Sequence, residues 1–240
     1  MMMKRQLPGL SLPENKEEKT DVRLILVRHG ETPWNEIHRF QGISDIELSR
    51  KGIGQAKFLA KSLRKEPLEA IYTSPLTRAR QTADQIARYH DCPLIIDKSL
   101  QELNQGQLEG LTGEDLRRDH AGFLEKWIKN PGSTRLPQGE SLGQLQKRAW
   151  SSIARIIRSH PEGTVAVVAH SFVNLTILCR VLDVPLTHFR RLRQEATAKN
   201  IIEFSERGAV LRCLNDTCHL NETARKNPKR GGGRRGKREY

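Results

Sequence analysis

Leu24-Ile25-Leu26-Val27-Arg28-His29-Gly30-Glu31-Thr32 is the stretch from which the rest of the chain is read. Its unbroken apolar run predicts a strand over 22–27 that is buried on both faces. The run stops at an arginine and a histidine, and Gly30 then lets the backbone pass close to whatever lies there. Ligands of open α/β sheets bind at the carboxyl ends of the strands. This strand therefore delivers a permanent cation and a potential nucleophile to one rim. The same pattern returns in Val165-Ala166-Val167-Val168-Ala169-His170-Ser171. If the two strands are neighbours, both histidines meet.

Outward from these strands the chain alternates. A polar loop over 31–47 carries Trp34, Asn35, Arg39, Gln41 and Gly42. Ser49 is placed to cap a helix that runs to about 64, with apolar residues at helical spacing, and Pro67 ends it. A short strand at 70–73 leads into Ser74-Pro75, where Ser74 is expected to cap a helix over 76–89. A third strand, 94–96, is followed by Leu100-Gln101-Glu102-Leu103, which places Glu102 near its end. Residues 111–140 are charged and broken by prolines, and read as a small helical insertion over the rim. An amphipathic helix spans 140–160, and another helix, 172–182, follows the second histidine strand. Residues 200–204 and 209–214 read as a β-hairpin with Gly208 at the turn. The sum is an α/β three-layer sandwich with a mostly parallel central sheet and an antiparallel edge.

The chain has 240 residues and a formal net charge of +13. Residues 225–240 hold eight Lys or Arg against one acid, so about half of the excess charge sits in a terminal tail. The expected organisation is a flexible leader over 1–20, one catalytic domain over 21–215, and a basic, disordered tail over 216–240. No apolar run is long enough to span a membrane. Met1, Met2 and Met3 open the leader, so the sequence leaves the start codon open among them. Four scattered cysteines do not form a disulfide framework and fit a reducing, cytoplasmic setting. Cys213, Cys218 and His219 have no second ligand pair at metal-binding spacing. No metal and no cofactor is expected.

Arg78 falls in the first turns of the helix that leaves the 70–73 strand. Two arginines, two histidines and the free N–H groups of helix starts make a pocket for a phosphoryl group. Cations there supply the charge neutralisation. A neutral imidazole in such a pocket can attack phosphorus. Glu102 is positioned to protonate the leaving alkoxide and later to take a proton from water.

At this point the chain resembles a known family. Arg28-His29-Gly30-Glu31-Thr32 with Trp34-Asn35 is similar to the signature of the histidine phosphatase superfamily, which has the phosphoglycerate-mutase-like fold. The likeness continues through Phe40-Gln41-Gly42, Ser74-Pro75-Leu76-Thr77-Arg78-Ala79-Arg80-Gln81-Thr82-Ala83, Glu102, Pro137-Gln138-Gly139-Glu140-Ser141 and Ala169-His170-Ser171. It covers about 22–214. The resemblance implies that His29 accepts the phosphoryl group and that Glu102 is the proton donor. It implies that Arg28, Arg78 and His170 complete the phosphate pocket, that Asn35 hydrogen-bonds the phosphate, and that Gln41, Gly42 and Ser171 join the substrate-binding set. The chain departs from the family pattern at Ser171, Leu175, Asn104 and Leu108. The short insertion favours a hydrolase of a small phosphorylated metabolite over a phosphoglycerate mutase. A third alternative is an inactive fold that binds nucleic acid through the basic tail 225–240.

Overall fold

The computed structural model describes residues 21–221. Six strands form one sheet: β1 (Asp21–Arg28), β2 (Leu68–Thr73), β3 (Leu94–Ile96), β4 (Glu162–Ala169), β5 (Lys199–Ser205) and β6 (Gly208–Asp216). Among the described residues seven α-helices accompany them: α1 (Pro33–Glu36), α2 (Arg50–Leu63), α3 (Thr77–Ala87), α4 (Gly113–Asp119), α5 (Ala121–Lys129), α6 (Leu142–Ser159) and α7 (Ser171–Val181). The sheet order is β3-β2-β4-β1-β5-β6. The first four strands in that order run parallel, and β5 and β6 add an antiparallel edge.

Side-chain alternation along β1 divides the core. Leu24 and Leu26 face one layer, with α6 and α7, while Ile25 and Val27 face the other, with α2 and α3. All four are fully buried, as a run apolar on both faces requires. The chain leaves β1 toward α2 and leaves β4 toward α7, so adjacent strands send their connections to opposite layers. That divergence opens a crevice above the carboxyl ends of β1 and β4. Arg28 pairs in register with Ala169, which puts His29 and His170 side by side at the crevice.

Local signals set most helix starts. Ser49 Oγ accepts from Gly52 N and opens α2. Reciprocal capping boxes, in which the cap side chain and the third helical residue bond each other's backbone, open α1, α4 and α6 at Thr32, Thr112 and Ser141. At the foot of the crevice, Gly30 packs against Gly52 so closely that an added Cβ would lie 2.6 Å from the Gly52 carbonyl oxygen.

Four expectations change. Ser74 does not cap α3: Leu76 occupies the cap position without a side-chain bond, and Ser74 Oγ turns to His170 instead. The loop 31–47 contains the single turn α1. Glu102 does not sit at the end of β3, which is the edge strand. A 3-10 turn, Lys98–Leu100, carries the chain back toward the crevice, anchored by fully buried Leu100 and Leu103. The domain does not stop at 215: Cys218–Leu220 forms a 3-10 turn with His219 buried. The leader 1–20 and the basic run 225–240 lie outside the described residues. Gly208, at φ +111°, opens β6 directly after a two-residue turn.

Candidate active site

His29 is buried at the end of β1. Its Nδ1 lies 2.6 Å from the Gly30 carbonyl oxygen. A carbonyl only accepts, so Nδ1 carries the proton and Nε2 keeps its lone pair. Burial holds the His29 pKa well below the ordinary imidazole range, and the charges of Arg78 and Arg28 add to the effect. The ring is therefore neutral, with its proton on Nδ1 and a free lone pair on Nε2.

His170 stands 5.1 Å from His29, centroid to centroid. Ser74 Oγ accepts from Leu76 N at 3.3 Å and lies 2.8 Å from His170 Nε2. His170 Nδ1 is buried without a partner among the described residues. Burial, followed by Arg78 and His29, keeps this ring neutral as well.

Two guanidinium groups flank the histidines. Arg78 is almost fully buried and donates to the carbonyls of Ser44 at 2.8 Å and Gly42 at 2.7 Å. Burial lowers its pKa to about 10, which still leaves it charged. Arg28 donates to the Gln194 carbonyl at 2.5 Å. The Nε groups of both arginines are buried without a partner among the described residues. These unmet donors beside a neutral imidazole suit a phosphoryl dianion.

Glu102 completes the arrangement. Its carboxylate accepts from Leu103 N at 2.9 Å and from Phe172 N, at the start of α7, at 3.2 Å. Burial nevertheless raises its pKa, and those amides with Arg78 and Arg28 offset only part of the rise. A carboxyl raised in this way can donate a proton at a pH where an exposed one cannot.

A cavity of about 140 Å³ brings together Arg28, His29, Asn35, Gln41, Gly42, Arg78, Glu102 and Ser171. His170, beside His29, is fully buried. Asn35 has a second task besides facing the cavity, since its Oδ1 accepts from Thr32 N in the α1 capping box. Glu109 lies outside the cavity wall and serves the loop beside it. It accepts from Ile43 N and Ser44 N, each at 2.8 Å, and so fixes the carbonyls that hold Arg78.

Sequence reasoning missed several contributors. Arg39, Phe40, Gln105 and Phe172 also line the cavity. Arg148 of α6 donates to the carbonyls of Ser99, Gln101 and Glu102 within 2.8 Å and binds Glu140. It pins the segment that presents Glu102. Its place in the strongly amphipathic α6, among solvent-facing basic residues, gave no sign of this role.

The sequence profile of the histidine phosphatase superfamily (branch 1) matches residues 24–217. The chain belongs to this superfamily. It is 34% identical over 201 residues to phosphoserine phosphatase 1 of Hydrogenobacter thermophilus, covering 84% of this chain and 95% of the relative. It is 31% identical over 208 residues to a probable phosphoglycerate mutase, GpmB, of Escherichia fergusonii, covering 85% and 97%. The solved structure of Bacillus stearothermophilus YhfR superposes with a TM-score of 0.79 at 32% identity, over 83% of this chain and 99% of that one. The superfamily member described here thus has relatives named for hydrolysis and for phosphoryl transfer between hydroxyls.

Proposed function

We propose that this chain is a phosphomonoester hydrolase that works through a phosphohistidine on His29. The observation that carries the reading is the Nδ1–Gly30 hydrogen bond, which leaves a lone pair on Nε2 between two arginines and opposite a raised carboxyl. Nε2 attacks phosphorus in line, the bond from phosphorus to the ester oxygen breaks, and Glu102 gives its proton to that oxygen. Water then attacks the phosphohistidine while the Glu102 carboxylate takes a proton from it. The P–N bond breaks, and phosphate leaves with His29 neutral again. Arg28, Arg78, Asn35, Gln41 and His170 hold the phosphoryl oxygens through both steps. The substrate in this reading is a small phosphorylated metabolite met in the cytoplasm.

The test is phosphate release from phosphomonoesters, run beside conversion of 3-phosphoglycerate to its 2-isomer. Free phosphate, together with acid-labile labelling of the protein, is the expected result. His29→Ala should lower turnover by roughly 10⁴-fold or more and remove the label. Isomer formed without free phosphate would replace the hydrolase reading with the mutase one.

A further inference from the structure

Between positions 48 and 65 the chain has six Lys or Arg and no acidic residue. All six are exposed. Arg50, Lys57, Lys61 and Arg64 follow one another at intervals of seven, four and three, which sets them on one face of α2 and of the residue that closes it. The opposite face buries Ala56, Leu59, Ala60 and Leu63 in the core. Lys51 pairs with Glu31, and the other five form no ion pair among the described residues. Solvated helix faces ordinarily mix the two signs, because like charges three or four apart repel. Two neighbours enlarge the patch. α3 packs beside α2, and a groove of about 390 Å³ there is lined by Lys57, Ala60, Gln85, Arg88 and Tyr89. Tyr89 is half exposed. The turn Cys218–Leu220 also packs against α2, so the basic run 225–240 is attached beside this face. Residues 222–240 can span at most about 65 Å, and α2 is about 21 Å long, so their reach exceeds the helix.

We infer that the α2–α3 face binds single-stranded nucleic acid, with the basic run 225–240 as a second arm. The inference is independent of the hydrolase reading, because no residue of this face lines the cavity at His29. Charge is the first reason for this partner. Two sets of like charges are tethered at one place, and a linear polyanion relieves the repulsion within and between them while it releases its own counterions. The groove is the second. It puts an exposed aromatic ring beside Lys57 and Arg88, which suits an unpaired base and the phosphates that flank it, whereas a duplex hides its base faces. The third is composition. The run contains Arg230-Gly231-Gly232, and Arg-Gly-Gly segments hold single strands without sequence preference. An anionic lipid surface is a poorer match. It rewards apolar groups that enter the interface, and most apolar side chains of α2 are committed to the core.

The probe is a fluorescein-labelled oligouridylate of about 20 nucleotides, read by anisotropy with the full chain at about 50 to 200 mM salt. Binding should weaken steeply as salt rises. Lys57→Gln, Lys61→Gln and Arg88→Gln together should weaken it about tenfold or more at ~100 mM salt. They should also make the slope of log affinity against log salt shallower by about 2, since each phosphate contact on a single strand contributes about 0.7. Tyr89→Ala should weaken binding about fivefold or more and leave the slope unchanged. All four positions are exposed, so the variants should keep the wild-type melting transition. A chain ended after residue 221 should bind more weakly than the full chain, and the three Gln substitutions should weaken it further. Absence of binding at ~50 mM salt overturns the inference. Wild-type affinity in the triple variant does so as well, because the basic run would then act alone. Equal affinity for a duplex of the same length, with Tyr89→Ala silent, rejects the single strand as partner. Binding to phosphatidylserine vesicles without binding to oligouridylate replaces nucleic acid with a membrane surface.

Discussion

In the proposed reaction, proton positions at His29 and Glu102 set the pH behaviour of the site. His29 must be neutral to attack, and burial with two nearby arginines keeps it so far below the ordinary imidazole range. Glu102 must be protonated to assist departure, and burial extends that state above the ordinary carboxylate range. In the proposed reaction the acid limb of the rate profile therefore belongs to His29 and the alkaline limb to Glu102. Glu102→Gln should remove the alkaline limb and cost roughly 10² to 10⁴ in kcat on an alkyl ester. The loss should be smaller on a nitrophenyl ester, whose oxygen leaves without a proton. Equal losses on both esters would take the proton-donor role from Glu102. The same burial has a stability consequence. Both imidazoles have depressed pKa values, so the unfolded chain binds more protons below about pH 6.5. Their contribution is fully present above that pH and is lost as pH falls toward the folded values. Thermal melts between pH 7.5 and 5 should show Tm falling, with a shallower slope in His170→Gln.

Between the reacting groups and the fold stand short segments that hold the site from behind. The turn at Gly42 shows how tightly they are built. Its φ is +51°, and a Cβ there would lie 2.0 Å from Glu109 Oε1. Gly42→Ala therefore both strains the turn and displaces the carboxylate that fixes Ser44, and the carbonyls of Gly42 and Ser44 lose their hold on Arg78. Activity should fall about 10- to 100-fold, while the melting transition moves by only a few degrees. A large loss of Tm with activity retained would show that the turn serves the fold and not the site. A buried amide pair plays the matching part for Arg28. Gln194 and Asn200 bond each other in both directions at 2.8 and 2.9 Å, and Asn200 is tied to the Leu26 carbonyl of β1. His29, His170 and Arg78 could be placed at the crevice from the sequence because each ends an apolar strand or begins a helix, and those signals are local; Glu102 could not, since a 3-10 turn after β3 carries it there. The supports of these groups could not be placed either. Glu109 reaches Ser44 across 65 positions and Gln194 meets Arg28 across 166. Ser74 was misread for the same reason, since Ser74-Pro75 fits a local cap while a histidine 96 positions away claims the hydroxyl.

The whole molecule was legible where the hydrophobic period was unambiguous. Strands apolar on both faces and helices with a single apolar stripe gave the layers and the parallel sheet. The order of strands was not written in any one segment. The insertion of β4 between β1 and β2 comes from packing α6 and α7 on the layer opposite α2 and α3, and it is what joins His29 to His170. The carboxyl-terminal edge of the domain was also misplaced, because the turn after β6 is short and polar. The structure shows what that turn does. His219, buried after β6, lies 3.0 Å from Thr197 Oγ1 through its Nε2. Thr197 holds a left-handed backbone at φ +57°, and its amide donates to the His29 carbonyl at 3.2 Å. Lys199 pairs with Asp216 at 3.1 Å on the same edge. His29 is thus braced by residues beyond 215. A chain ended after residue 221 should keep kcat/KM on ethyl phosphate within about twofold of the full chain. One ended after residue 215 loses Asp216 and His219, leaves Thr197 in its left-handed backbone without the His219 contact, and should lose roughly 1–3 kcal/mol of stability. Its activity should fall with it. Denaturant melts and phosphate release on the two truncations decide the matter. If the shorter chain matches the longer in both, the brace on His29 is complete before Asp216.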